Sequence, residues 1–201
     1  MKYGMVIDLR RCIGCYGCQV SCKAEHATPP GVFFARVVKR ETGTYPNVLK
    51  VFLPMLCMHC DNPPCEEVCP TGATFKRPDG IVDIDRGICV GCRYCMQACP
   101  YEARYFHAKE RFYFDGQGPT EYEATGYQQH PTGVVMKCNF CAHRLERGEL
   151  PSCVVTCPAR ARTFGDLDDP ESEVNRLIKD RGGAPLHPEL GTGPSVYYLP
   201  A

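Results

Sequence analysis

The stretch Cys89-Val-Gly-Cys92-Arg-Tyr-Cys95-Met-Gln-Ala-Cys99-Pro100 carries the densest chemistry in the sequence. Its spacing is C-x2-C-x2-C-x3-C-P. Thiolates at i, i+3 and i+6 on a tight loop can close over three corners of an iron–sulfur cube, while the fourth, followed by proline, serves a second cube nearby. Gly91 lets the loop backbone come close to whatever the thiolates hold. A lone CxxC would carry little weight, but three further quartets flank this run. Cys12, Cys15, Cys18 and Cys22 repeat the spacing, with Lys23 where proline would stand. Cys57, Cys60, Cys65 and Cys69-Pro70 place Asp61-Asn-Pro-Pro64 between the second and third members. Cys138, Cys141, Cys153 and Cys157-Pro158 have an eleven-residue loop at the same place. Between Cys69 and Cys89 lie only 19 residues, so quartets two and three pair most naturally, and one and four pair around them.

The elements that must hold these loops are short. Of 201 residues, 16 are cysteine, 18 proline and 19 glycine, a loop-rich composition with little regular apolar pattern. Such a chain builds only a small core, so bound clusters supply much of its folding energy. A disulfide scaffold and structural zinc are the rival uses of so many cysteines. Bridge partners are not usually placed in four quartets at metal-ligand spacing, and zinc sites favour two separated Cys pairs over triplets at i, i+3, i+6.

Formal charge is zero, with 23 basic and 23 acidic residues. Sixteen thiolates around four oxidised cubes, each core 2+, would bring the loaded chain to about −8. Arg10, Arg11, Lys23, Lys76, Arg86, Arg93, Lys137, Arg144 and Arg160 lie near cysteines in sequence and could offset that charge. His26 reads as an ordinary surface histidine beside a complete cysteine set. His59, inside the second quartet, reads as a hydrogen-bonding neighbour of cluster sulfur rather than an iron ligand. No basic run is interleaved with aromatics, which argues against nucleic acid. No apolar stretch approaches the ~18–20 residues that span a bilayer; Val48 to Met58 is broken by Lys50 and Pro54. The first residues lack the pattern of a signal peptide, and Arg10-Arg11 is followed by cysteines where a twin-arginine signal would be hydrophobic.

Tyr3 to Leu9 has the alternation of a strand leading into the first quartet. Thr28 to Pro54 reads as a β-hairpin, with β-prone Val32–Val38 and Val48–Leu53 around Gly43 and Pro46. Gly80 to Asp85 is a short alternating strand. Tyr101 to His130 is aromatic without periodicity, either a packed loop or an excursion toward a partner; exposed aromatics concentrate at interfaces, which favours the partner. His143 to Gly148 reads as a helical turn, and Asp168-Asp-Pro-Glu171 as the cap of a helix reaching about Asp180 before Gly182-Gly183. The tail from Pro185 to Ala201 is extended, and Val196-Tyr-Tyr-Leu199 is apolar enough to lie against something.

With these motifs assembled, the chain resembles the four-cluster iron–sulfur subunits of molybdopterin oxidoreductases of the dimethyl-sulfoxide reductase family. Their relatives serve polysulfide, thiosulfate, tetrathionate, arsenate and acyl-CoA-type complexes. The resemblance covers nearly the whole chain. It rests on the four quartets in order and on Lys137-Cys-Asn-Phe-Cys-Ala-His-Arg-Leu145 and Pro151-Ser-Cys-Val-Val-Thr-Cys-Pro158. It also rests on Phe164-Gly-Asp-Leu-Asp-Asp-Pro170 and Gly191-Thr-Gly-Pro-Ser-Val-Tyr-Tyr-Leu199.

The resemblance implies an α+β fold of tandem bacterial-ferredoxin-like halves with crossed ligation. The first half would be 1–27 with 131–166 and the second 55–103, with an inserted hairpin at 28–54, an aromatic insertion at 104–130 and a C-terminal helix and tail at 167–201. It implies four [4Fe-4S] clusters. Cys12, Cys15, Cys18 and Cys157 would hold one; Cys57, Cys60, Cys65 and Cys99 a second; Cys69, Cys89, Cys92 and Cys95 a third; Cys22, Cys138, Cys141 and Cys153 a fourth. Some relatives replace one ligand with tryptophan and carry a three-iron centre, but this chain has no tryptophan and no incomplete quartet. The implied function is a non-catalytic wire passing single electrons between a large molybdenum- or tungsten-pterin subunit and a membrane-anchor (quinone- or haem-binding) or soluble redox partner. The compartment is open, because such subunits can be exported with a signal-bearing partner. A free-standing polyferredoxin is the alternative. A cluster enzyme would need an open iron site, and every quartet here is complete.

Overall fold

The computed structural model describes residues 1–114 and 116–200; Asp115 of the aromatic insertion and Ala201 at the end of the tail lie outside the described residues. In order, the chain forms β1 (Tyr3–Asp8), α1 (Gly17–His26), β2 (Arg36–Thr44), β3 (Asn47–Met55), α2 (Pro64–Glu67), β4 (Thr74–Lys76), β5 (Val82–Ile84) and α3 (Tyr94–Gln97). It continues through β6 (Tyr105–His107), α4 (Glu121–Gly126), β7 (Val134–Met136), α5 (Ala142–Leu145), α6 (Ser152–Val155), β8 (Arg162–Asp166), α7 (Glu173–Arg181), β9 (Ala184–Pro185) and β10 (Val196–Leu199). Most elements are four residues long or shorter, as expected where cysteine loops rather than periodic apolar faces dictate the path. No helix among the described residues is long and apolar enough to cross a membrane.

The sheets are small, and three of them tie quartets together. β1, which leads into Cys12, pairs antiparallel with β8, which follows Cys157, with Met5 opposite Phe164. β10 of the tail adds in parallel to β1, and β9 completes a four-stranded sheet in the order β8-β1-β10-β9. β4, after Cys69, pairs with β5, before Cys89. β6, after Cys99, pairs with β7, before Cys138, and so ties the inner quartets to the fourth. One continuous core contains Met5, Ile7, Phe34, Leu56, Met58, Ile81, Met136 and Phe140 together with six of the cysteines.

The hairpin differs in extent from its sequence reading. Its strands run Arg36–Thr44 and Asn47–Met55, paired from Arg36↔Met55 to Thr44↔Asn47. Val32, Phe34 and Ala35 are not strand: after Pro29-Pro30 they turn inward and are buried in the core. The hairpin base packs on the first cysteine loop, where Phe52 lies against Gly14 and both Val37 and Pro54 face Cys12 and Cys15. α7 is capped by Ser172, whose hydroxyl accepts from Asn175 N–H at 3.4 Å, and closed by Gly182 in the left-handed region. The cap is thus one residue beyond the acidic run, whose Asp169 instead accepts from Glu171 N–H. The aromatic insertion packs on α1: Tyr122 Oη donates to Ala24 O at 2.5 Å, and Lys23 lies over the Tyr113 ring.

Candidate metal centres

All four quartets share one backbone device. The residue before the second cysteine is left-handed in each: Gly14 (φ 65°), His59 (φ 45°), Gly91 (φ 65°) and Phe140 (φ 54°). Glycine adopts this conformation freely, whereas His59 and Phe140 each carry a strain of about 1–2 kcal/mol. Their rings explain the exception. His59 and Phe140 stack on one another at 3.7 Å between centroids, joining the second quartet to the fourth through the buried centre of the molecule.

Twelve of the cysteines gather four by four in three pockets, each drawing on two sequence quartets. Cys12, Cys15, Cys18 and Cys157 line one pocket. Cys57, Cys60, Cys65 and Cys99 line a second. Cys69, Cys89, Cys92 and Cys95 line a third. The remaining four, Cys22, Cys138, Cys141 and Cys153, are all buried; burial raises the Cys22 thiol pKa, and Cys138, Cys141 and Cys153 add to that rise. All sixteen are free of disulfides. The crossing arises locally: Cys18 and Cys22 are one turn apart on α1, and likewise Cys65 and Cys69 around α2, so each pair reaches adjacent groups.

The donor set tests what these spaces can hold. Burial pushes Cys60 and Cys141 up to about 12, with neighbouring thiolates adding to the effect. Four such sulfurs ionise together only around a strongly cationic group. They surround a space rather than a point: among the described residues no three His, Cys, Asp or Glu side chains could share one metal ion. A cube, which gives every thiolate its own iron, suits that arrangement. Hydrogen-bond donors already face the sulfurs: Thr74 N–H to Cys69 at 3.4 Å, Phe140 N–H to Cys138 at 3.4 Å and Ala161 N–H to Cys157 at 3.3 Å. The sites fit iron–sulfur cubes.

Two histidines sit beside these groups. His26 is not a surface residue: it is buried, its Nε2 lies 3.2 Å from Cys141 Sγ, and burial pulls its pKa down to about 4. Phe34 and His143 pack edge-on against its ring, contacts that local spacing does not reveal. His59 accepts from Val82 N–H through Nδ1 at 3.1 Å, which leaves the proton on Nε2, and that donor has no partner in the protein. The tail also belongs to the site. Thr192 hydrogen-bonds Tyr101 Oη at 2.8 Å, while Gly193 O and Thr192 O accept from Asp61 and Asn62 N–H.

Of the cations flagged by sequence, Lys137 is buried and Lys23 is held by the carbonyls of Thr28, Pro29 and Val32. Arg10, Arg11, Arg93 and Arg160 remain exposed. The two buried arginines that touch cysteine sulfur, Arg104 and Arg162, were not among them. Arg104 Nη2 donates to Cys65 Sγ at 2.9 Å, and Arg162 Nη1 to Cys153 Sγ at 3.7 Å. A signal for them exists: Cys99-Pro-Tyr-Glu-Ala-Arg104 and Cys157-Pro-Ala-Arg-Ala-Arg162 share the spacing C-P-x-x-A-R.

A 4Fe-4S dicluster domain family matches residues 48–120 and again 119–167, and a second 4Fe-4S dicluster family matches residues 11–73. The chain therefore belongs to the 4Fe-4S dicluster proteins, with two dicluster units and four [4Fe-4S] clusters. Within that class it is similar to a selenate reductase subunit of Mesobacillus selenatarsenatis, at 47% identity over 99% of this chain and 72% of the relative. A tetrathionate reductase subunit of Salmonella typhimurium is 47% identical over 98% of this chain and 72% of its own length. The arsenate respiratory reductase iron-sulfur subunit of a Shewanella species is 40% identical over 99% and 96%. The chain is thus an electron-transfer subunit and not a catalytic one.

Proposed function

We propose that this chain is the wire of a molybdenum- or tungsten-pterin oxidoreductase, carrying single electrons between the pterin subunit and a second redox partner. The observation that carries the reading is the linear sharing of cysteines among four groups. Cys18 and Cys22 link the first group to the fourth, the His59–Phe140 stack links the fourth to the second, and Cys65 and Cys69 link the second to the third. The relatives named for reductases of selenate, tetrathionate and arsenate support a large catalytic partner. In this reading the four groups are the ligand sets: Cys12, Cys15, Cys18, Cys157; Cys22, Cys138, Cys141, Cys153; Cys57, Cys60, Cys65, Cys99; and Cys69, Cys89, Cys92, Cys95. The ferredoxin-like halves are 1–27 with 131–166 and 55–103.

The bound clusters supply reversible one-electron uptake. The chain's own residues set who meets whom. Cys15 and Cys92, in the first and third groups, are the exposed ligands, and exposed apolar side chains stand beside each in sequence: Ile13 at one end, Val90 and Tyr94 at the other. Both ends thus offer a partner close approach, while the middle groups are shielded from water. The test is purification of the native complex. Copurification with a much larger subunit, with molybdenum or tungsten and a pterin in the same fraction, is expected. A chain that runs alone as a monomeric carrier would sink the reading.

A further inference from the structure

Among the described residues three cations are buried, and each stands at a different boundary between cysteine groups. Arg162 is 4% exposed, Lys137 3% and Arg104 4%. Arg162 lines the cavity of Cys12, Cys15, Cys18 and Cys157, and its Nη1 donates to Cys153 of the neighbouring group. Lys137 Nζ donates to the carbonyl oxygens of Cys138, in the fourth group, and of Val82, in the wall of the second. Arg104 lines the second cavity and donates to Cys65 Sγ at 2.9 Å. Its other Nη donates to Thr74 Oγ1 at 3.0 Å, and Thr74 N–H in turn donates to Cys69 Sγ of the third group. Among the described residues, the arginine and lysine ion pairs with carboxylates all involve other side chains.

An unpaired buried cation is strongly destabilising. With the sulfurs as their counter-charge, these three become part of the electron path. We propose that Arg162, Lys137 and Arg104 are shared redox-positioning residues, one at each of the three junctions, each easing reduction of both clusters it lies between. The reason is electrostatic. An added electron raises the negative charge of a cluster, and a fixed cation in a dry surrounding stabilises the reduced form of whichever neighbour holds it. Because each cation faces two groups, it raises both potentials together and leaves the step across its junction largely unchanged, instead of favouring one side. The matched C-P-x-x-A-R spacing puts Arg104 and Arg162 at equivalent places in the two halves, as a device repeated for each dicluster unit requires.

The inference rests on the proposed ligand sets, and the experiment separates the two. In the purified holo-complex, Cys92→Ser and Cys15→Ser first mark by EPR which signals belong to the third and first groups. Each should disturb one signal; disturbance that does not follow the sets overturns the ligand assignment, whatever the arginines do. Redox titration of Arg104→Gln is then expected to lower the midpoint potentials of the second and third clusters together and leave the first in place. Arg104→Lys, which keeps the charge and loses the fork, should return both toward the native values. Arg162→Gln should lower the first and fourth together. Iron analysis confirms that each variant retains its clusters. If Arg104→Gln loses iron, Arg162→Gln decides by the same criterion. Full iron content with unmoved potentials, a shift in one neighbour only, or no recovery with lysine would overturn the proposal.

Discussion

Replacing Gly91 with alanine isolates the cost of close approach in a cluster loop. Gly91 has φ +65°, and a Cβ there would stand 2.1 Å from the carbonyl oxygen of Gly133 and 3.0 Å from the Phe106 ring. Gly72, just after Cys69-Pro70, has nearly the same φ, +67°, but a Cβ would meet nothing within 4 Å. Both substitutions impose the left-handed penalty on alanine, about 1–2 kcal/mol. Only Gly91→Ala also drives backbone into backbone, which adds about 1–3 kcal/mol because the carbonyl cannot swing aside as a side chain would. Gly72→Ala should therefore lower the midpoint of thermal cluster loss by about 2–8 °C, and Gly91→Ala by about a further 2–12 °C, taking roughly 2–4 °C per kcal/mol for a chain of this size. Both proteins are heated anaerobically at one scan rate while the visible absorbance of the clusters is followed, since irreversible loss depends on rate. Equal midpoints for the two variants would refute the packing of the Cys89–Cys92 loop against the approach to β7.

Three further outcomes are expected. Glu123 accepts from Thr120 and Tyr113 N–H and from Tyr127 Oη, which hold its carboxyl below the usual carboxylate range. Its contribution is thus present above the unfolded pKa and lost as pH falls through the lower folded value; hydrogen exchange at 112–127 should rise there, and Glu123→Gln should show that rise already at neutral pH. Tyr198→Phe removes a donor from Pro54 O at 2.8 Å in a buried site and should cost about 1–2 kcal/mol, read as faster cluster loss with the hairpin base loosened. Stripping iron with acid or chelator should unfold the chain, read by circular dichroism, because Arg104, Lys137 and Arg162 then lose their counter-charge; a native-like apoprotein would contradict this.

Much of the site is written in local spacing. The triplets at i, i+3 and i+6 announce loops around a shared object, and the i, i+4 cysteines on α1 and α2 announce that each quartet feeds two groups. Strand β1 and helix α7 follow from alternation and capping signals within a few residues. What spacing does not carry is which distant loop closes over which. His26 reads as exposed in sequence because its cover comes from Phe34, beyond the turn at Pro29-Pro30, and from His143 of α5. The tail's hold on Tyr101 through Thr192 joins residues 91 positions apart, and no local pattern encodes it. The paired arginines are legible in the repeated C-P-x-x-A-R, yet nearness in sequence to a cysteine does not single them out from the exposed cations. The His59–Phe140 stack is not legible, since precedence to the second cysteine of a quartet is shared with Gly14 and Gly91 and does not say which rings meet.

The most direct test of the account is iron and acid-labile sulfide analysis of anaerobically prepared protein, with EPR of the oxidised state. Four [4Fe-4S] clusters predict sixteen iron and sixteen sulfide per chain and an oxidised protein without a stoichiometric three-iron signal. Far fewer of either, zinc in their place, or one three-iron centre per chain would contradict it.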